Sequence, residues 1–366
     1  MPNLFSPLVA GELSLANRIV MAPLTRTRAD ADGVPTQLMV EHYAQRASVG
    51  LIISEGTFPS PAGKGFDGQP GLVTSSQLAG WRKITDAVHA NGGVIVAQVM
   101  HAGRASHSAI SGFPVEAPSA LAIDGETHAG GSKVAYPVPR ALATDELPKI
   151  VEEFVRASQN AIDAGFDGVE LHAANGYLLN EFLGATSNVR TDAYGGTPEN
   201  RIRFVVEVAQ AVAAQLGAGR VGIRISPQHN ILDLIEDDLA DVDAVYGGLI
   251  DALAPLGLAF VSILHSEPAG AFVQGLRARF GGTFLVNTGF AGVTTRDVAV
   301  ALINDSLADA VVVGRAVIAN PDLVRRWSDE LGQNELDAST LYGTSAIGYT
   351  DYPTHDEVEA LAVAVS

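Results

Sequence analysis

The chain contains no cysteine, which excludes disulfides, thiolate nucleophiles and cysteine-ligated metals. Any redox chemistry must therefore run through a bound group. Basic residues are also scarce: 23 Lys and Arg stand against 41 Asp and Glu, and the net charge of −18 repels phosphate backbones and anionic lipid at long range. Nucleic acid and membrane are accordingly not expected as partners. No run of about 18 apolar residues occurs. The N-terminal stretch Met1-Pro-Asn-Leu-Phe-Ser-Pro lacks a basic region followed by an apolar one, so a soluble, cytoplasmic protein is expected. Nor does a Gly-x-Gly-x-x-Gly fingerprint follow the first apolar run, which argues against a separate dinucleotide-binding domain.

What the chain does have is apolar residues, 47% of its 366 positions, arranged in short Val- and Ile-rich runs bounded by Gly, Pro or polar residues. Eight such runs are found: Arg18 to Thr25, Leu51 to Thr57, Val94 to Met100, Gly168 to Ala173, Val221 to Ser226, Phe260 to His265, Thr283 to Gly289 and Asp309 to Arg315. Near-continuous apolar runs suit parallel strands covered on both faces, and most are followed by a helical pattern. Eight βα units close into a barrel, so the expectation is an α/β fold, a (β/α)8 TIM barrel forming one domain. The clearest helix is expected after Thr144 as N-cap, with Asp145 and Glu146 in its first turn, Ile150, Phe154, Ala157 and Ala161 on one face, and a stop at Gly165.

Two interruptions break the rhythm. Residues 101–143, rich in Gly, Pro, Ser and Ala, read as an excursion over the barrel mouth, and Leu178 to Asn200 delays the helix after the fourth run. The first five residues and the tail after Pro353 read as peripheral.

The chemistry of a βα barrel sits where strands end, because the loops there vary freely on a fixed frame. The fourth run ends in Gly168-Val-Glu-Leu-His172-Ala-Ala-Asn175-Gly-Tyr177, which places two hydrogen-bonding side chains and a possible proton donor at one strand mouth. Taken alone, a histidine at a strand end is more often structural and a tyrosine more often a packing residue. His101 and His107 are six residues apart, a spacing that fits neither a helical pair nor a zinc pattern, so a structural role is expected and no metal site.

The surrounding strings make the case specific. Met21-Ala-Pro-Leu-Thr25-Arg, Gln98-Val-Met-His101-Ala-Gly-Arg104, His172-Ala-Ala-Asn175-Gly-Tyr177-Leu-Leu-Asn-Glu-Phe-Leu, Arg190-Thr-Asp-Ala-Tyr-Gly-Gly-Thr-Pro-Glu-Asn-Arg201, Gly314-Arg315 with Ala319-Asn-Pro-Asp, and Gly348-Tyr349-Thr-Asp-Tyr-Pro353 occur in this order. Over essentially its whole length the chain resembles the old yellow enzyme family of FMN-dependent ene-reductases. The resemblance implies tightly but non-covalently bound FMN, reduced by NADPH or NADH, which then reduces an activated alkene such as an enone, enal, maleimide or nitroalkene.

It also implies roles for individual residues. Arg224 would place a permanent cation beside the electron-rich edge of the reduced flavin, and Thr25 would donate to the flavin O4. Gln98 offers a donor and an acceptor to the pyrimidine edge. Backbone of Pro23, Leu24 and Gly56 would complete the flavin bed, while Thr288, Gly289, Gly314 and Arg315, after the seventh and eighth strands, would take the phosphate. His172 and Asn175 would hold the substrate oxygen, Tyr177 would donate the proton, and Tyr349 would lean over the substrate. Met100 stands where many relatives of this kind carry tryptophan, so a pocket of different size is expected. Thr25 places the chain with the threonine-containing branch. Two alternatives stay open: a flavin reductase of nitrate esters or nitroaromatics, and a flavin-free barrel lyase, isomerase or ligand binder. A monomer or homodimer is expected.

Overall fold

The structure is a computed structural model and describes residues 3–290 and 292–365. Eight parallel strands form a closed barrel: Ile19–Met21, Leu51–Ile53, Ile95–Val99, Gly168–Ala173, Val221–Ile225, Phe260–Leu264, Phe284–Asn287 and Ala310–Val313. The eighth pairs with the first, Val313 opposite Met21, so no edge is left open. Each strand lies inside one of the eight apolar runs, but most are shorter than the run. The run from Arg18 stops pairing after Met21, and Pro23, lacking an N–H, cannot extend a ladder. The unpaired ends of the runs form the rim.

Alternation along the strands separates two apolar regions. Val20, Leu51, Ile53, Val96, Phe260, Leu285, Ala310 and Val312 fill the barrel interior, whereas Ile19, Met21, Val169, Leu171, Ile223 and Ile225 face the surrounding helices. The interior filling is closed from below by an antiparallel hairpin, Leu8–Ala10 with Leu13–Leu15, whose Ala10, Leu13 and Leu15 join the same cluster. Higher up the same inward positions become polar, with Gln98, Glu170, His172, Arg224 and Ser262 all buried. The sequence thus builds an oily plug beneath a polar floor.

Three expectations are corrected. Thr144 does not cap the helix: residues 144–146 form a 3-10 turn before the helix Leu147–Asp163, and the Thr144 hydroxyl instead reaches Asp192 at 2.5 Å. The Glu146 carboxylate takes over, accepting the Ala143 N–H at 2.7 Å. The apolar face of that helix is as expected, with Ile150, Phe154, Ala157 and Ala161 buried, and Gly165 follows its end at φ +92°. The opening residues are not all peripheral either. Met1 and Pro2 lie outside the described residues, but Leu4 is buried in the core and its carbonyl accepts the Arg18 N–H at 2.9 Å. The third correction concerns Tyr349 and is described with the site.

Residues 101–143 hold a short helix Ser108–Ser111, a hairpin of Glu126–Ala129 with Ser132–Ala135, and a parallel pairing of Glu116–Ala117 with Arg140–Ala141. Their tethers run to loops that follow barrel strands: Gly130 N–H to Asp67 at 3.1 Å, Arg104 to the Leu232 carbonyl at 2.9 Å, and Val189 N–H to Ser119 at 3.0 Å. At the other end of the chain, the segment around residues 340–350 lies across the loop after the first strand. Arg26 donates to the carbonyls of Leu341 and Gly348, Arg28 to those of Thr340 and Leu341, and Gln45 to that of Thr350. No helix among the described residues is long and apolar enough to cross a membrane.

Candidate active site

The fourth strand ends in a turn that only a few residue types could make. Ala173 and Ala174 are followed by Asn175 at φ +59° and Gly176 at φ +79°, two successive left-handed residues. Asparagine and glycine tolerate that region where a bulkier or β-branched side chain would be strained. The Asn175 N–H donates to Ser226 Oγ at 2.8 Å and the Gly176 N–H to Asn180 Oδ1 at 2.9 Å, which fixes the reversal. Tyr177 then opens the helix Leu178–Leu183 in extended conformation, and its ring comes back to 5.3 Å from the His172 ring. His172 and Tyr177 are thus neighbours, with Asn175 on the turn between them. The Asn175 Oδ1 is buried without a hydrogen-bond partner.

Beneath this turn lies a hydrogen-bonded floor. The Gln98 amide nitrogen donates to Glu170 Oε1 at 2.8 Å and sits 3.3 Å from His172 Nδ1. Arg224, opposite His172 in register on the fifth strand, donates through Nη1 to Ser262 Oγ at 3.2 Å, and its Nε has no partner. Burial, reinforced by the Arg224 charge, pushes the His172 imidazole down to about 3, so the ring is neutral at working pH. Burial also pushes the Glu170 carboxyl up to about 7, against the opposing pull of Arg224 and of the Gln98 amide. The Tyr177 hydroxyl is raised as well, by burial first and by Tyr136 and Tyr342 nearby. It is therefore a phenol, able to donate, across the physiological range.

Glu170 is the residue the sequence reading missed. A signal was present: in Gly168-Val-Glu-Leu-His-Ala the carboxylate falls two residues before His172, hence on the same inward face of a strand otherwise built to be buried. The structure also narrows the role of Gln98. With its amide nitrogen directed to Glu170 and His172, the group it has left to offer a ligand is its oxygen.

Around the floor, Pro23, Leu24 and Thr25 line the rim half-buried, and the Met100 sulfur packs on Gly56 so closely that a Cβ at residue 56 would lie 2.6 Å from it. Met100 is itself buried, at 2% exposure, so it touches the expected flavin bed rather than open space. Across the barrel, Gly289 has φ +87° and Thr288 Oγ1 pairs with Thr294 Oγ1 at 2.8 Å. Gly314 precedes the short helix Arg315–Ala319, and the exposed Arg315 braces the neighbouring loop through the Phe290 carbonyl at 2.5 Å. These four residues come from adjacent strand ends, as the expected phosphate site requires.

Tyr349 does not lie with the His172 group. Its ring is fully buried, stacked on His42 at 3.9 Å and 7°, with the Arg28 and Arg26 guanidinium groups 4.6 and 5.1 Å from its centre. Its hydroxyl has no hydrogen-bond partner among the described residues. Stacking between cations and a neutral imidazole explains its burial without a ligand. The Nδ1 atoms of His101 and His107 accept the N–H of Gly103 at 3.1 Å and of Ala109 at 3.0 Å.

The arrangement suits a planar, electron-rich ring with a phosphate arm. Arg224 Nε is a buried donor in want of an acceptor, Gln98 Oε1 is an acceptor, Thr25 is a hydroxyl at the rim, and the seventh and eighth strand ends offer glycines with a cation beside them. Such a site defines a flavin-dependent oxidoreductase on a TIM barrel. The chain belongs to the NADH:flavin oxidoreductase / NADH oxidase family, whose model matches residues 3–334. It is 41% identical over 360 residues to a probable flavin mononucleotide-dependent alkene reductase of Leishmania infantum, covering 96% of this chain and 97% of that protein. To 12-oxophytodienoate reductase 7 of Oryza sativa subsp. japonica it is 39% identical over 377 residues, covering 96% and 94%. Among solved structures, the old yellow enzyme homologue from Zymomonas mobilis superposes with a TM-score of 0.91 at 40% identity, over 96% of this chain and 99% of that one. Morphinone reductase in complex with tetrahydroNAD gives 0.90 at 44% identity, over 98% and 99%. FMN and a nicotinamide co-substrate are thus the cofactors of this enzyme.

Proposed function

We propose that the whole chain is a single FMN-binding barrel that reduces activated alkenes at the expense of NADPH or NADH, with residues 101–143 as an excursion over its mouth. The observation that carries this reading is the turn at residues 172–177, which sets two neutral hydrogen-bonding side chains and a protonated phenol together above a buried arginine. FMN held by these residues would supply hydride transfer from the nicotinamide to the β-carbon of the alkene.

The remaining work belongs to the chain. His172 and Asn175 donate to the carbonyl or nitro oxygen of the substrate, polarising the adjacent double bond and stabilising the negative charge that develops on that oxygen. Tyr177 supplies the proton to the α-carbon. Arg224 offers its unpartnered Nε and its charge to the electron-rich edge of the flavin, and Gln98 Oε1 accepts from the ring's pyrimidine side. Thr25 donates to the flavin carbonyl near it, Pro23, Leu24 and Gly56 form the bed, and Thr288, Gly289, Gly314 and Arg315 hold the phosphate. Purified protein is expected to carry one FMN per chain and to oxidise a nicotinamide in the presence of cyclohexenone. A colourless protein that takes up no added FMN would end this reading.

Met100, packed on Gly56 under the expected flavin bed, is expected to influence the pocket indirectly through that bed. A thioether there is flexible and adapts to its surroundings, so α- and β-substituted enones are expected to bind in more than one orientation. Met100→Trp, with a rigid indole in place of that contact, should slow bulky enones while sparing cyclohexenone and should drive the product toward one enantiomer. Chiral chromatography of a matched substrate pair measures this, and unchanged rates and ratios would remove Met100 from the pocket.

A further inference from the structure

We propose that Glu170 is a positioning residue that, acting through Gln98, fixes which nitrogen of His172 carries the proton. The inference rests on the flavin-site reading above and adds to it a residue whose one side-chain hydrogen bond comes from Gln98.

A neutral imidazole has one N–H and one lone pair, and only the nitrogen bearing the proton can donate to a substrate oxygen. Which nitrogen that is depends on the partner of the other one. His172 Nδ1 lies 3.3 Å from the amide nitrogen of Gln98. An NH₂ group is donor-only, so Nδ1 must accept, the proton must sit on Nε2, and Nε2–H is left to meet the ligand.

That conclusion holds only while the Gln98 amide keeps its orientation. Were the amide turned over, its oxygen would face Nδ1, the proton would move there, and Nε2 would become an acceptor that repels a carbonyl or phenolate oxygen. Glu170 selects the first arrangement. Its Oε1 accepts the other Gln98 N–H at 2.8 Å, and an amide oxygen in that place would meet a carboxylate oxygen instead. Gln98 and Glu170 face each other in register on adjacent strands, and both are buried, so neither can turn to water for a substitute. The Gln98 backbone is held in the same way from its other side, by its N–H to Ser54 Oγ at 3.0 Å.

The carboxylate is held by its hydrogen bond from Gln98, and its charged form is favoured by Arg224 against burial. Arg224 is the nearest cation, on the neighbouring strand, and the two oppose each other's burial. Glu170 Oε2 has no hydrogen-bond partner, so nothing competes with Gln98 for the carboxylate's orientation. The series Glu170, Gln98, His172 therefore turns one acceptor-only carboxylate into a fixed donor direction at Nε2.

The direct test needs no variant. In FMN-loaded protein labelled with ¹⁵N-histidine, two-bond proton–nitrogen correlations for His172, assigned by difference with His172→Asn, should show a protonated Nε2 and an unprotonated Nδ1. A protonated Nδ1 in protein that carries its FMN would overturn the proposal while leaving the flavin reading intact. Failure of the protein to bind FMN would instead overturn the flavin reading.

Two substitutions then separate the hydrogen bond from the charge. Glu170→Leu should lower the affinity for a para-substituted phenol, read from the perturbed flavin spectrum, by about tenfold, the cost of losing one oriented donor. Glu170→Gln removes the charge and can offer Gln98 either an oxygen or an NH₂ group, so it should recover only part of that affinity. Wild-type phenol affinity in Glu170→Leu would mean that Glu170 does not act through Gln98, and full wild-type affinity in Glu170→Gln would mean that the carboxylate does not select the amide orientation.

Discussion

Tyr177→Phe is expected to leave reduction of the flavin by nicotinamide nearly unchanged and to slow the alkene half-reaction by about 10²- to 10⁴-fold, the usual worth of a positioned proton donor. The asymmetry follows from chemistry: only the second half-reaction needs a proton on carbon. Burial raises the Tyr177 hydroxyl above its ordinary value, so it stays protonated well into the alkaline range and its loss cannot be mimicked by raising the pH. The substitution is also conservative in packing. The ring stays against Phe66, 6.3 Å away, and against His172. Stopped-flow traces of the two halves measure the split. Equal slowing of both would make Tyr177 a structural or binding residue, and no slowing of either would assign the proton to solvent.

A comparably large effect is expected from His172→Leu and Asn175→Leu. In the proposed roles each would remove one donor to an oxygen that becomes anionic in the transition state, a loss worth about 10²- to 10³-fold per donor. Para-substituted phenols are expected to bind through the same pair of donors, so their perturbation of the flavin spectrum should vanish in the double variant while FMN content is retained. The His172 imidazole itself is expected not to titrate in the working range, whereas Glu170, raised to about 7, is expected to do so. The imidazole is neutral above about 3, so protonation cannot switch it between pH 5 and 8, and a bell-shaped profile in that window must come from another group. Retention of the phenol-perturbed spectrum in the double variant would show that the substrate oxygen lies elsewhere.

The barrel was legible because each strand is a short apolar run with a punctuating residue at its end, and the inward polar residues interrupt those runs at period two. His172, Asn175 and Tyr177 were legible for a local reason: all three belong to one strand and the turn after it. Glu170 was hidden by the same strand, since a carboxylate flanked by Val169 and Leu171 reads as part of an apolar run until its face is counted. Tyr349 was misplaced because its environment is made at long range, by His42 and the Arg26 and Arg28 side chains, more than three hundred residues away. Thr144 carried the right chemistry for a cap, but Asp192, from the loop after the fourth strand, claimed its hydroxyl.

The arginine-held segment near residue 341 has a consequence for how the molecule comes to exist. Arg26 and Leu341 are 315 residues apart in sequence, and the guanidinium that joins them is buried together with that of Arg46, which reaches the carbonyls of Val317 and Ile318. Arg46 has an early partner in the His42 carbonyl. The carbonyls of Leu341, Gly348, Val317 and Ile318 that complete the burial of Arg26 and Arg46 come late in the chain, and a buried cation short of partners is strongly unfavourable. The loop that carries Thr25 can therefore take its final shape only after nearly the whole chain has left the ribosome. Contacts of such sequence separation are slow to form, so the rim beside Thr25 is expected to settle late in folding.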